Sequence, residues 1–237
     1  MSNEHTSQQI MFNFKLKDGL RFESFYSEEE SKNTETVTIL KESLNSDQFQ
    51  QNIIWGESFS GKTHLLQASC AKDASLNKTV TYLPLRLFKD SGIGVLSGLT
   101  LSHLIAIDDI DLVIGDKEWE TALFNLINTA RDNQQHLLLS STQNPRMLDC
   151  SLPDLASRLI WGGSYQLNGL SDEETLKAIQ ARAEQRGFSL SDSVIGYLHR
   201  RYPRDIDSLM GILDKLDEES LLQKKVITVQ FVKQVLE

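Results

Sequence analysis

The sequence predicts an α/β fold: a parallel sheet flanked by helices, with a small C-terminal α-helical domain appended. Three observations carry this expectation. Short apolar runs at 51–55, 80–83, 104–107 and 136–140 are interleaved with stretches of helical periodicity, as in a parallel sheet covered on both faces. A glycine-bearing segment, Gly56-Glu57-Ser58-Phe59-Ser60-Gly61-Lys62-Thr63, falls between the first of those runs and the helix after it. From about Gly169 the texture turns helical, which places a domain boundary there.

The elements follow in order. Residues 1–20 hold an isolated apolar island, Ile10-Met11-Phe12-Asn13-Phe14, too small to bury itself; it either docks on the main domain or awaits a partner. Residues 21–169 form the α/β domain and 170–237 the helical one. The acidic stretch after Tyr26 reads as a loop, and Val37–Leu44 as an amphipathic helix. Gln51–Trp55 is the first strand, His64–Ala71 the helix after the glycine segment, and Val80–Leu83 and Leu104–Ile107 the next strands. Glu118–Arg131 sets Trp119, Leu123, Leu126 and Ile127 on one helical face. His136–Ser140 is the fourth strand. Ser171 with Glu174 three residues on is a capping-box start, and Gly187 a stop. Further helices are expected around 193–201 and 204–216. The terminal VITVQFVKQVLE reads as a short strand and then a helix that turns Phe231, Val232 and Val235 inward.

Composition narrows the function classes. The chain has 237 residues, 40% hydrophobic, enough for one α/β domain and a smaller companion. The formal net charge of −9 argues against tight direct duplex binding, which needs a lysine and arginine surplus to displace phosphate counterions. No apolar run approaches a membrane span, and the polar start MSNEHTSQQ shows no secretory signal, so a cytoplasmic protein is expected. Cys70 and Cys150 lack metal or redox spacing and read as reduced thiols.

The chemistry is concentrated in a few segments. Residues 56–63 fit GxxxxGK[ST] completely, in the strand-to-helix context that the motif requires. Its glycines let backbone N–H groups face a phosphate, Lys62 supplies charge to the terminal phosphates, and the Thr63 hydroxyl is an Mg²⁺ ligand. ADP or ATP with Mg²⁺ is therefore the expected cofactor. Asp108 and Asp109 end the third strand: Asp108 is the candidate metal carboxylate, Asp109 the residue to polarise an attacking water. Ser140, Ser141 and Thr142 end the fourth strand, where a polar side chain can reach a γ-phosphate. Arg158 lies far from the glycine segment in sequence, and Arg204 opens a helix after Tyr202-Pro203; each is a candidate phosphate contact or a plain surface arginine. His64 and His103 have no metal-ligand spacing and read as structural.

Together these segments resemble the AAA+ ATPases of the DnaA family, and within it the Hda branch of regulators. The resemblance spans nearly the whole chain. It rests on FESFY, WGESFSGKTHLLQA, LIAIDDIDLVIGDKEWETALFNL, LLLSSTQNP, LPDLASRLIWGG, LSDEETLKAIQARAEQRGF and ITVQFVKQVL. It implies an AAA+ P-loop ATPase with a helical lid, Arg158 as an arginine finger acting in trans, and Arg204 as the second sensor of the lid. Phe22 and Phe25, within the linker Phe22 to Tyr26, are implied to lie beside the adenine, and Glu57, Ser58, Phe59, Ser60 and His64 join the nucleotide-binding set. The N-terminal island becomes a clamp-binding peptide, Gln9, Ile10, Met11, Phe12 and Phe14, with a register starting at Gln8 equally permissible.

Two departures bear on this. The family places an aspartate where Thr142 stands, which puts a sensor role there in doubt. The initiator carries a helix-turn-helix DNA-binding domain beyond the lid, whereas this sequence ends at Glu237, so a regulator is expected instead. The implied partners are the initiator DnaA and the polymerase sliding clamp, with DNA reached indirectly through the clamp. Self-association through the face bearing Arg158 stays open. The rival readings are a stand-alone helicase-loader ATPase acting on single strands, which would favour a basic groove with stacking aromatics, and a small-molecule kinase using Arg158 in cis.

Overall fold

The computed structural model describes residues 19–237; the expected clamp-binding residues Gln9, Ile10, Met11, Phe12 and Phe14 lie outside the described residues. The chain divides into two compact units, one ending at Asn168 and one running from Gly169 to Glu237.

The larger unit is built on a five-stranded, wholly parallel sheet in the order β2-β3-β4-β1-β5. Its strands are β1 (Gln51–Trp55), β2 (Val80–Pro84), β3 (Leu104–Asp108), β4 (His136–Ser141) and β5 (Gly163–Gln166). Alternation along each strand supplies both faces. Ile53, Ile105, Ile107, Leu137 and Leu139 point into one buried cluster. Ile54, Leu104, Ala106 and Leu138 point into the other. A strand buried on both sides has no polar face to show, which is why these runs read as continuously apolar.

Helices cover the two faces. The second cluster is closed by α1 (Lys32–Ser43) and α2 (Lys62–Ser75), through Leu40, Leu65, Leu66 and the buried Cys70. Burial pushes the Cys70 thiol up to about 12, so it is inert packing. α1 begins five residues before the expected Val37, because Ser31 caps it by accepting from the Thr34 amide at 3.2 Å. The first cluster is closed by α4 (Lys117–Asp132) and α5 (Pro153–Leu159), with Trp119, Leu123, Ile127, Leu155 and Leu159 inward. The short α3 (Leu85–Phe88) and a run of 3-10 turns connect β2 to β3.

The smaller unit packs α6 (Asp172–Gln185), α7 (Asp192–Arg201), α8 (Ile206–Gln223) and α9 (Val229–Leu236) around Ile179, Leu198, Leu213 and Phe231. The Ser171 hydroxyl accepts from the Glu174 amide while Glu174 accepts from the Ser171 amide, a reciprocal cap at the start of α6. Gly187, at φ +87°, takes the left-handed conformation that ends it. The strand expected before the last helix is not formed. Residues 225–228 are irregular, and Thr228 caps α9 by accepting from the Phe231 amide at 3.2 Å. A β-branched run with no strand beside it in a helical unit has nothing to pair with, so capping wins.

Candidate functional site

Because all five strands are parallel, their carboxyl ends share one edge of the sheet, and the chain leaves β1 there to rise into α2. This is where open α/β sheets place ligands. Gly56 follows β1 directly; a Cβ at that position would meet the Leu167 carbonyl oxygen at 2.3 Å. Gly61 closes the loop in the left-handed region at φ +95° and hands the chain to α2, so the first amides of that helix face the loop.

Within the loop, the Lys62 ammonium donates to the carbonyls of Gly56 and Glu57, each at 2.8 Å. Burial lowers its pKa, and the nearby Asp109, Asp108 and Asp111 counteract that. The Ser60 hydroxyl is buried with no hydrogen-bond partner among the described residues, an orphaned donor within the loop. Phe59 stands at the loop tip with φ +65° and a half-exposed ring. These features fit a bound polyphosphate.

Thr63 and Asp108 come together. The Thr63 hydroxyl donates to Asp108 Oδ2 at 2.7 Å. The same oxygen accepts from the Tyr82 hydroxyl at 2.8 Å, and Ser140 donates to Oδ1. A hydroxyl and a carboxylate are the hard oxygen donors that Mg²⁺ prefers. Among the described residues no group of three or more His, Cys, Asp or Glu side chains gathers to hold a metal, so the ion would need phosphate oxygens and water to complete its shell.

Asp109 occupies a left-handed backbone conformation (φ +61°, ψ +51°), and its carboxylate pairs with Arg86 Nε at 3.2 Å. Burial and the neighbouring Asp108 charge raise its pKa; Arg86 opposes them. Thr142 bonds Asp111 through both its amide (3.0 Å) and its hydroxyl (2.5 Å). Of the three polar residues ending β4, Ser140 is the one that touches Asp108.

The segment Phe22–Ser24 forms a 3-10 turn against the start of α2. His64 Nε2 lies 2.9 Å from the Arg21 carbonyl oxygen and 3.3 Å from Ser24 Oγ. The Phe25 ring meets the His64 ring edge-on at 5.3 Å. Phe22 is buried with α1 and α2.

Arg158 is elsewhere. It closes α5 at the amino edge of the sheet: its carbonyl accepts from Gln51 Nε2 at 2.7 Å, and Gln51 begins β1. The glycine loop begins after Trp55 at the other end of that strand, about 13 Å away at ~3.3 Å per residue. The Arg158 guanidinium lies 4.1 Å from the Trp161 ring centre and 5.8 Å from that of Phe124. In the smaller unit, Arg204 pairs with Asp172 at 2.7 Å, and His199 lies 3.3 Å from the same carboxylate.

Three participants were not foreseen: Tyr82, Asp111 and Glu120. Tyr82 offered no signal beyond a hydroxyl on an otherwise mostly apolar strand. Glu120 is fully buried and accepts from the amides of Gly115, Ser151 and Leu152 at 2.7, 3.0 and 2.6 Å.

A 2-3-4-1-5 parallel sheet, a glycine loop after its fourth-placed strand, an acidic pair closing β3 and a separate four-helix unit define an AAA+ P-loop ATPase fold with a helical lid. Residues 16–166 match the bacterial DnaA ATPase domain family, and residues 172–236 match the lid domain of Hda. The chain belongs to the DnaA-related AAA+ family, with an Hda-type lid.

A protein of Haemophilus influenzae, described as uncharacterised, is 40% identical over 224 residues, covering 92% of this chain and 94% of its own. Domain III of the replication initiation protein DnaA from Thermotoga maritima superposes with a TM-score of 0.75 at 20% identity, covering 93% of this chain and 97% of that one. AMPPCP-bound DnaA from Aquifex aeolicus gives 0.69 at 22% identity, covering 89% and 70%. At such identities the two structures speak for the fold.

Proposed function

We propose that this protein is a nucleotide-bound regulator of replication initiation that supplies Arg158 in trans to ATP-bound DnaA and promotes hydrolysis there. The observation that carries the reading is the placement of Arg158. It closes a helix at the amino edge of β1, while its own phosphate loop lies past the carboxyl end. A guanidinium so placed has no short route to the chain's own nucleotide. That placement supports a role on a neighbour's nucleotide.

In this reading Gly56 to Thr63 cradle ADP or ATP by backbone amides, with Lys62 turning from the loop carbonyls to phosphate. Thr63 and Asp108 would hold Mg²⁺, which would offset the negative charge of the phosphates. Asp109 is held by Arg86, which suits slow hydrolysis by the chain itself. The bound nucleotide then sets shape, and the consequential hydrolysis is the neighbour's. An arginine finger supplied in trans stabilises the charge of the transferring phosphoryl group and is worth roughly 10³- to 10⁵-fold. Residues 9–14 would hold the protein on the DNA-loaded sliding clamp, so that an acidic chain reaches DNA without gripping it. Arg204 would serve as the second sensor arginine.

The test is ATP turnover by DnaA on clamp-loaded DNA, with and without this protein. Acceleration that disappears when residues 8–14 are deleted, with nucleotide binding intact, is the expected result. Fast turnover by this protein alone, with none added to DnaA, would favour the helicase-loader class.

A further inference from the structure

Trp161, in the turn between α5 and β5, is 52% exposed, and Ile160 beside it is 42% exposed. Two guanidiniums lie over the Trp161 ring: Arg158 at 4.1 Å and Arg131, from the last turn of α4, at 4.2 Å from the ring centre. Neither arginine is paired with a carboxylate among the described residues. In a chain of net charge −9, carboxylates to neutralise them are plentiful. Three separate elements instead converge to hold two like charges on one exposed indole.

The chemistry of stacking explains what such an arrangement does. A guanidinium stacked on an aromatic ring uses its face, and its in-plane N–H donors stay available for an anion. A carboxylate partner would occupy that donor edge. A free arginine also samples many rotamers, and each must be given up before a phosphate can be met in one geometry. The rigid indole removes that freedom in advance. We infer that Trp161 is a positioning residue for Arg158, and that Arg131 is a second cation of the same site, both presented to the polyphosphate of a nucleotide-bearing neighbour. This rests on the in-trans reading of Arg158.

The experiment measures stimulated ATP turnover by the partner as a function of the concentration of this protein. Thermal unfolding and binding of ADP to its own phosphate loop serve as controls. Trp161→Leu removes the π face and keeps apolar bulk; the maximal stimulated rate falls about 2- to 30-fold, the range set by exposed and desolvated cation–π contacts. Trp161→Phe, which restores a ring, recovers most of that rate. Arg131→Ala instead raises the half-saturating concentration and flattens its dependence on salt, because one long-range charge is lost. If Trp161→Leu unfolds the domain, Trp161→His keeps a planar ring with a weaker face and is read in the same way. Full stimulation by a folded Trp161 variant, alongside its loss in Arg158→Ala, overturns the positioning role. Unchanged salt dependence in Arg131→Ala overturns the second cation. Stimulation that survives Arg158→Ala condemns the in-trans reading itself, a distinguishable result.

Discussion

The ring of Phe25 lies against Gly61, so closely that a Cβ on Gly61 would meet Phe25 Cε2 at 2.6 Å. This contact joins the FESFY segment to the turn that starts α2. Gly61→Ala therefore carries two penalties, the left-handed backbone and the displaced ring. The backbone alone costs roughly 1–2 kcal/mol of folding stability. Adding Phe25→Ala removes the clash while the φ strain remains. Urea unfolding of the single and double variants checks both.

Tyr82 donates to Asp108 from β2, and burial followed by the Asp108 charge raises its pKa above the ordinary 10.0. The folded chain therefore keeps a proton that the unfolded chain releases near pH 10. The stabilisation is complete below that pH and is lost as pH rises above it. Urea unfolding between pH 8 and 11 is expected to show a shallower alkaline loss in Tyr82→Phe than in the parent. Near neutrality the same substitution costs about 1 kcal/mol for the missing hydrogen bond.

Glu120 fastens α4 to the segment that leads into α5, the helix bearing Arg158, through the amides of Ser151 and Leu152, and also accepts from the Gly115 amide. Glu120→Gln replaces one acceptor oxygen by a donor group and leaves a buried N–H without a partner. A loss of roughly 2–3 kcal/mol in urea unfolding is expected. Nucleotide binding in the folded variant stays unchanged.

Arg204 and Asp172 form an ion pair whose side chains are both more than half exposed. Such pairs contribute under about 1 kcal/mol to stability. Asp172→Asn is therefore expected to leave the melting temperature within a few degrees of the parent's, which scanning calorimetry reads directly.

How far the sequence could be read depended on periodicity. The four central strands were legible because burial on both faces makes them unbroken apolar runs. β5 was missed: Gly-Ser-Tyr-Gln has no apolar run, and it becomes a strand only by pairing with β1. The opposite error occurred at 225–228, where local β propensity found no neighbouring strand. Motif residues such as Thr63 and Asp108 were visible because their spacing is fixed by a strand-turn-helix. Tyr82 and Arg131 were not, because their roles come from register and helix packing, and no short-range pattern encodes these. Ser140 was within reach as one of three polar residues ending β4, but only the pleat decides which of the three faces Asp108.

The central claim is that one guanidinium of this chain acts on a triphosphate held by another molecule. Arg158→Ala, titrated into ATP-loaded DnaA on clamp-bearing DNA, tests it most directly. The account predicts that stimulated hydrolysis disappears while this protein's ADP affinity, melting temperature and clamp retention stay at parent values. Stimulation equal to the parent's, from a folded and clamp-bound Arg158→Ala protein, would contradict it.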